Sequence, residues 1–402
     1  MQMRFFYSNF DTTAGFLPQH HPLQSIPETT PFHIELNQIA FAIPELLANK
    51  KLGEVIAQLN HKYKNENLKI DRSNARERSV ALLFLSMIAQ AYIWEDREHP
   101  KTVVPAVIAK NLMRLSISVK HNYLRYPTPS YQDYVLNNFY KINPTQGVTL
   151  DNIEPILTFT GTKDEAWFIK IHIVVEAICA KAVDSAYQAA TIKNITPDEL
   201  LSLLENISNS LRLAIGVLKQ MKIGCEPNYF YHVLRPHYNG WNLVHDGKQK
   251  GVLFEGINLP VRFSYRGMSG AQSSDIPTLD AALHVQHQKD EMFQTLQEFK
   301  NYMPSQHREL INDLENFHVG MQIHNMIKNI PEDQLFEFNV IKNAWQRAVN
   351  SLSSFRAQHI GFLEQYIIRP SKLDPKTIVG TGGTPLTEYL GKRYESTRQA
   401  KL

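Results

Sequence analysis

One long predicted helix carries a histidine at the centre of an apolar stripe. The stripe lies in the helix that ends before Pro370, and its spacings of three and four residues place it on one helical face. Its members are Leu352, Phe355, His359, Phe362 and Tyr366. A buried imidazole needs a partner for its nitrogens, because an unsatisfied polar group costs about 1–3 kcal/mol. The sequence leaves two alternatives for His359: an iron ligand, or a core histidine bonded to a backbone carbonyl.

A second histidine lies on the predicted helix over residues 164–190. His172 and Glu176 are four residues apart and share a face with Phe168 and Val175. A solvated ion pair is the alternative, but apolar neighbours on both sides favour burial. Two histidines on apolar faces of separate helices would suit a haem between them.

The composition restricts the classes of protein to which the chain can belong. Its 402 residues carry 42 basic and 39 acidic side chains, so a formal charge of +3 indicates neither a nucleic-acid partner nor a membrane anchor. Two cysteines exclude a disulfide framework and a four-thiolate zinc site. No apolar stretch reaches the ~20 residues that span a bilayer, and no signal peptide is visible. We expect a soluble, cytoplasmic protein.

The periodic pattern predicts an all-α protein in two parts. A loop-rich stretch over 140–162 marks the boundary, so we predict a small helical domain over 1–150 and a large helical domain over 151–402, which carries both histidines. Residues 222–277 are predicted as a long loop of functional use. His284 and His287 are expected on the exposed face of a helix over 278–302. The remaining predicted helices cover 74–94, 106–119, 164–190, 197–221, 306–316 and 331–369.

Seven short segments, in order along the chain, resemble the indoleamine 2,3-dioxygenase family. The segment around His359 is similar to the helix that holds the haem iron in that family. The others resemble its distal pocket, substrate loop and glycine-rich flap. They read YQDYVLNNF (131–139), FYHVLR (230–235), FEG (254–256), SGAQSS (269–274), MPSQHR (303–308), FRAQH (355–359) and GTGGT (380–384).

The resemblance implies a haem b protein with His359 as the proximal iron ligand. Arg356 and Asp280 would form an ion pair near the haem propionates, and Ser269 and Gly270 would lie against the cofactor. An indole ring would occupy a distal pocket, and a flap containing Thr381 would close over it. The residues implied for the substrate are Tyr131, Tyr134, Val135, Phe168, Phe230 and, for the carboxylate, Arg235.

The activity implied is the insertion of O2 into tryptophan or an indole derivative, with cleavage of the indole 2,3 bond. His172 stands where vertebrate members carry a small hydroxyl residue, and it would accept the indole N–H or donate to O2. A histidine there resembles tryptophan 2,3-dioxygenases and the haem enzyme of pyrrolnitrin biosynthesis. The alternatives are such a rearranging enzyme or a non-catalytic O2-binding haem protein, as a monomer or homo-oligomer. The loop over 265–268 is also bulkier than the family's small-residue run.

Overall fold

The computed structural model describes residues 10–118, 123–192, 194–245, 247, 249–258, 261–330, 335–374, 378–383 and 386–401. Helices dominate the first third of the chain. A 3-10 turn covers Thr12–Ala14. It is followed by α1 (Pro31–Phe41), α2 (Ile43–Ala48), α3 (Leu52–Tyr63), α4 (Ala75–Ile93) and α5 (Ala106–Ser116). Asn74 caps α4 by accepting hydrogen bonds from the backbone of Arg76 and Glu77.

The rest of the chain is also mainly helical. Three π-helical turns interrupt it at Gln132–Leu136, Phe230–Leu234 and Glu364–Ile368, and a 3-10 turn covers Arg235–Tyr238. Further 3-10 turns lie at Gly270–Gln272 and Lys300–Tyr302. The helices are α6 (Lys163–Thr191), α7 (Pro197–Leu218), α8 (Met221–Gly224), α9 (Pro227–Tyr229), α10 (Asp275–Ala282), α11 (Glu291–Phe299), α12 (Ser305–Asn316), α13 (Val319–Lys328), α14 (Leu335–Leu363), α15 (Arg369–Ser371) and α16 (Leu386–Gln399).

The strands within the described residues are all two residues long. Val103–Val104 (β1) pairs in parallel with Leu253–Phe254 (β8). Three antiparallel pairs join Ile117–Ser118 (β2) to Tyr123–Leu124 (β3), Tyr140–Lys141 (β4) to Ile153–Glu154 (β5), and Val244–His245 (β6) to Gln249–Lys250 (β7). The predicted all-α class is confirmed. The division into domains 1–150 and 151–402 stays a prediction.

Two 29-residue helices, α6 and α14, carry the two histidines, and α7 packs against both. Capping side chains define where these helices begin. Thr162 accepts a hydrogen bond from the Glu165 backbone at the start of α6. Thr196 and Glu199 form a reciprocal capping box at the start of α7, with Pro197 at the first helical position. The capping residues and the apolar faces indicate the same helix boundaries. The ranges predicted from the sequence therefore lie close to those observed for α6 and α7.

Three segments differ from the sequence-based expectation. The helix predicted over 278–302 is broken, because α10 ends at Ala282 and α11 begins at Glu291. The predicted loop over 222–277 contains helical turns from Pro227 to Tyr238. Helical backbone also continues past Pro370, because a π-helical turn precedes it and the proline occupies an early position of α15. In the part of the chain that the structure describes, no helix combines the length and apolar character needed to cross a bilayer.

Candidate active site

His172 points from α6 into a cluster of aromatic rings. Its Nδ1 atom lies 2.8 Å from the carbonyl oxygen of Phe168, one turn earlier. A carbonyl can only accept, so Nδ1 carries the proton and Nε2 is left as an acceptor. Burial, with a smaller contribution from the neighbouring His359, lowers the pKa of His172 to about 4. The imidazole is therefore neutral at pH 7 and offers an acceptor to the pocket.

His359 is held in the same way on α14. Its Nδ1 atom lies 3.1 Å from the carbonyl oxygen of Phe355. Nδ1 is therefore the donor, and Nε2 has an unshared electron pair and no protein hydrogen bond among the described residues. Burial lowers the pKa of His359, and Arg356 lowers it further, which favours the neutral, metal-binding form.

The two imidazoles are close enough to interact electrostatically across the space between α6 and α14. Both keep Nε2 available, so the residues fit an iron-containing macrocycle that one of these nitrogens would hold. An iron already held by four macrocycle nitrogens needs only one or two axial ligands from the protein. Among the described residues, no three His, Cys, Asp or Glu side chains gather as a metal site of their own.

A pocket lies beside His172, and most of the residues predicted for the distal side line it. Its walls come from the π-helical turn at Gln132–Leu136, from α6, and from the segments around 238 and 268–270. The lining residues are Tyr131, Tyr134, Val135, Phe168, His172, Tyr238, Met268, Ser269 and Gly270. Phe230 lies behind this wall, with its ring centroid 5.1 Å from that of Phe168. The pocket has the aromatic character that suits a flat apolar ring.

A buried carboxylate anchors two of the three phenols of the pocket wall, Tyr134 and Tyr238. The Tyr134 hydroxyl donates to Glu165 over 3.0 Å, and the Tyr238 hydroxyl hydrogen-bonds to Tyr134. Glu165 also accepts from the backbone of Phe159 at 2.8 Å and Thr160 at 2.6 Å. The hydrogen bonds that the buried carboxylate needs are therefore supplied locally. Burial raises the pKa of Tyr134 well above its ordinary value, so the phenol stays protonated.

An ion pair fixes the π-helical turn that carries the other wall residues. Both nitrogens of the Arg125 fork contact Asp133, at 2.6 and 2.9 Å, and both side chains are buried. Asp133 also accepts from the backbone of Ser130 at 3.0 Å. A bidentate pair of this kind holds the backbone in one orientation. It thereby directs Tyr131, Tyr134 and Val135 toward the pocket.

Arg235 lies at the edge of the site and does not line the pocket itself. Its Nη2 atom donates to the carbonyl oxygen of Val379 over 2.7 Å, and its guanidinium lies 5.4 Å from the centre of the Tyr231 ring. The residue follows Phe230 by just over one helical turn, and the helical turns from Pro227 to Tyr238 position both. The remaining donors of the fork are available to a carboxylate.

The glycine-rich segment packs on the loop that the sequence marked as bulky. The Thr381 hydroxyl donates to the carbonyl of Met268 over 2.7 Å, and Arg266 donates to the carbonyl of Gly382 over 2.8 Å. A Cβ atom on Gly267 would lie 2.1 Å from the carbonyl oxygen of Tyr238. Only glycine allows this approach. The bulky loop is thus a platform for the flap, with Arg266 also bound to Glu298 at 2.8 Å.

Arg356 and Asp280 form a buried ion pair one turn from His359. Nη2 of Arg356 contacts Oδ2 of Asp280 at 2.7 Å, and the Thr397 hydroxyl accepts from Nη1. Nε2 of His287 contacts the same Oδ2 at 2.8 Å. The exposed helical position predicted for His287 is wrong, because the chain leaves α10 at Ala282 and folds this imidazole back onto Asp280. His284 lies in the same break, with a positive φ of 54°.

The acid stability of the protein should depend on Asp280. Burial alone would raise the pKa of Asp280, but Arg356 and His287 bring it down to about 2. Stability gained from a lowered pKa is present above the unfolded value and is lost as the pH falls through the folded value. Asp280→Asn should therefore lower the free energy of unfolding by about 2 kcal/mol at pH 6, with the difference shrinking toward pH 2. Urea unfolding at several pH values measures this, with exposed Asp198→Asn as the control; equal losses at pH 6 and pH 2 would contradict it.

The sequence patterns missed two residues of the pocket wall, Tyr238 and Met268. Tyr238 was detectable, because Phe230, Leu234 and Tyr238 follow each other at spacings of four, which is helical. The expectation of a loop over 222–277 hid that signal. Met268 carried no local signal, since its place in the wall depends on the flap contact with Thr381.

Comparison with known proteins places this arrangement in context. Residues 7–400 match the family model described as indoleamine 2,3-dioxygenase. Indoleamine 2,3-dioxygenase of Saccharomyces cerevisiae is 30% identical, over 95% of this chain and 90% of its own. Indoleamine 2,3-dioxygenase 1 of Rattus norvegicus is 29% identical, over 98% and 95%. A 6-hydroxytryptophan 2,3-dioxygenase of Fusarium equiseti is 28% identical, over 94% and 93%. The similarity thus extends over both histidine-bearing helices and the flap.

Proposed function

This chain belongs to the indoleamine 2,3-dioxygenase family, and from that premise we propose that it is a haem-dependent dioxygenase of tryptophan or an indole derivative. The reaction inserts both atoms of O2 across the indole 2,3 bond, giving an N-formylkynurenine-type product. The observation that carries the proposal is the pair of imidazoles, His172 and His359, each with Nδ1 bound to a backbone carbonyl and Nε2 available.

We infer that the cofactor is haem b, held through Nε2 of His359. When bound, the haem iron would supply the redox chemistry that allows O2 to react with the indole ring. The hydrogen bond from Nδ1 to Phe355 fixes the orientation of the ligating ring. Arg356 and Asp280 would lie near the propionates, and Ser269 and Gly270 would contact the macrocycle from the pocket side.

The chain's own residues would bind and orient the substrate. Nε2 of His172 would accept the indole N–H, because its tautomer leaves an acceptor there. Arg235 would donate to the substrate carboxylate. Thr381 would bring the flap over the site and exclude water. The ring would lie against the walls formed by Tyr131, Tyr134, Val135 and Phe168, and Phe230 would support the Phe168 ring from behind.

Turnover of L-tryptophan tests the proposal. We expect haem-loaded protein, reduced with ascorbate and methylene blue, to form N-formylkynurenine, detected by its absorption and by mass spectrometry. The control is His359→Ala treated in the same way. A wild type that binds haem and L-tryptophan but forms no product would contradict the dioxygenase proposal. The oligomeric state, the lack of a nucleic-acid partner and the location in the cytoplasm stay predictions from the sequence.

The second candidate is a rearranging enzyme of the pyrrolnitrin type, and His172 favours it. The neutral imidazole of His172 can accept a hydrogen bond from the ring N–H of a modified indole as readily as from that of tryptophan. Offering L-tryptophan, 6-hydroxytryptophan and 7-chlorotryptophan to the same reduced protein separates the candidates, because only the second rearranges the chlorinated ring. A reduced protein that binds O2 and consumes none of the three substrates would instead be an O2-binding haem protein.

A further inference from the structure

Two carboxyl groups lie buried together behind the pocket wall. Glu176 is one turn after His172 on α6, and Asp275 is the first residue of α10; they are 1% and 4% exposed. The two groups are close neighbours, and Ser273 links them: the backbone N–H of Asp275 donates to the Ser273 hydroxyl oxygen over 3.3 Å, and that hydroxyl contacts Glu176. In the described part of the chain, no lysine, arginine or histidine forms an ion pair with either. Two unpaired negative charges in such a place would be very costly.

The hydrogen bonds around the pair reveal a missing proton donor. The Ser273 hydroxyl donates to Oε1 of Glu176 over 2.7 Å. Oε2 of Glu176 and Oδ1 of Asp275 are buried and have no donor among the described residues. Carboxylate oxygens can only accept, so two of them in contact cannot satisfy each other. A single proton between the two groups turns this repulsive contact into an O–H···O⁻ hydrogen bond.

The surroundings indicate which group holds the proton. Burial, with repulsion from Glu176, raises the pKa of Asp275 well above its ordinary value. Burial raises the pKa of Glu176 as well, but the neighbouring polar groups of Ser273, Tyr131 and Asp275 oppose that effect. Cys179, which also faces the pair from α6, stays a neutral thiol because burial raises its pKa well above its ordinary value. Asp275 is thus the acid of the pair and Glu176 the carboxylate.

The pair is connected to the pocket through Tyr131. The Tyr131 hydroxyl lies beside Glu176, and its ring lines the pocket with its centroid 6.2 Å from that of His172, at an interplanar angle of 75°. The backbone N–H of Tyr131 donates to Gln272 over 3.0 Å, so the residue is held at both ends. A change in the carboxyl pair must therefore move the ring that faces His172.

We propose that Asp275 and Glu176 share one proton at neutral pH and, through that proton, act as positioning residues that fix Tyr131 against the substrate. Loss of the proton leaves two adjacent carboxylates, which repel and release the Tyr131 hydroxyl. The inference rests on the proposed function for the use of the pocket. The shared proton should be present in the protein whether or not a substrate is bound.

Infrared spectroscopy detects the proton directly. A buried protonated carboxylic acid has a carbonyl stretching band that ionised carboxylates lack. We expect the difference spectrum between wild type and Asp275→Asn at pH 7 to show one such band, present only in wild type. The control is Asp198→Asn, which removes an exposed carboxyl group on α7 and should remove no band in this region. Absence of the wild-type band overturns the proposal.

The rescue by asparagine tests the positioning role. The side-chain amide introduced by Asp275→Asn still donates to Glu176, so this variant should keep the dissociation constant for L-tryptophan within about twofold. Asp275→Ala leaves an orphan acceptor and should raise that constant about tenfold. In a Tyr131→Phe background, Asp275→Ala should have little further effect, because the link to the pocket is already cut. Equal effects of the two Asp275 variants, or additive effects with Tyr131→Phe, overturn the proposal.

The melting temperature of the unliganded protein keeps the two proposals separable. Wild type should lose thermal stability from pH 7 to pH 9 as the shared proton leaves, whereas Asp275→Asn should lose less, because it has no proton to give up. If wild type binds no L-tryptophan, the proposed function fails. The infrared band and the melting temperatures at pH 7 to pH 9 still show whether the two carboxyl groups share a proton. If the melting temperatures of wild type and Asp275→Asn depend on pH in the same way, the proposal of a shared proton is wrong.

Discussion

Replacing His359 with alanine should abolish the Soret band that haem gives when it is added to the purified wild type. The imidazole is the one side chain on the described part of α14 that faces His172 with a nitrogen electron pair available, and Phe355 holds it in that tautomer. Alanine has no nitrogen that could bind the haem iron. The macrocycle would then be held only weakly, by the remaining apolar contacts. Absorption spectra and pyridine haemochrome content, measured after gel filtration, give the haem bound per chain. We expect at least a roughly tenfold fall.

The matched control for His359→Ala is His172→Ala. Both substitutions remove a partly buried imidazole whose Nδ1 is bound to the carbonyl four residues earlier, so their packing costs are similar. His172→Ala should keep the Soret band near full intensity, because His172 is not expected to be the proximal ligand. Adding imidazole to His359→Ala should restore part of the band by filling the vacated space. Haem retained by His359→Ala and lost by His172→Ala would reverse the two assignments.

The sequence was sufficient where local signals and long-range packing agreed. The apolar period predicted helices over 164–190 and 197–221, close to the observed α6 and α7, and the caps at Thr162 and Thr196 fix where these helices begin. Local patterns of this kind are established within a few turns of chain, so sequence reasoning reaches them. The tautomers were not predicted, because the sequence left open whether His359 bonds to a backbone carbonyl; the structure shows this bond at Nδ1 of both histidines.

The parts that could not be predicted depend on contacts between distant segments. His287 is near Asp280 only because the chain breaks after Ala282, and no proline or glycine marks that break between 283 and 290. The acid pair joins residues 176 and 275. The apolar neighbours of Glu176 favour its burial, but nothing in either segment indicates that a second carboxyl group lies beside it. Burial of both groups arises when α6 and α10 pack, and that packing is not encoded in either segment alone.

Replacing Arg235 with alanine should weaken binding of L-tryptophan while leaving tryptamine almost unaffected. Tryptamine keeps the indole and the ammonium group but lacks the carboxylate, so the ratio of the two affinities isolates the contact with Arg235. A charge-assisted hydrogen bond is worth about 1.5–3 kcal/mol, which corresponds to a fall of about 10–150-fold for L-tryptophan. Calorimetric titration of haem-loaded wild type and variant measures both ligands, and haem content should be unchanged.

Arg235 has a second contact that the same experiment must separate, because its Nη2 donates to Val379 beside the flap. Loss of that bond alone would loosen the flap and weaken both ligands equally. Arg235→Lys keeps the positive charge but lacks the planar fork, so it should recover part of the L-tryptophan affinity. Thr381→Val removes the flap's hydroxyl bond to Met268 without touching the guanidinium, and it should weaken both ligands alike. Equal weakening of L-tryptophan and tryptamine by Arg235→Ala would assign the arginine to the flap and leave the carboxylate without its proposed partner.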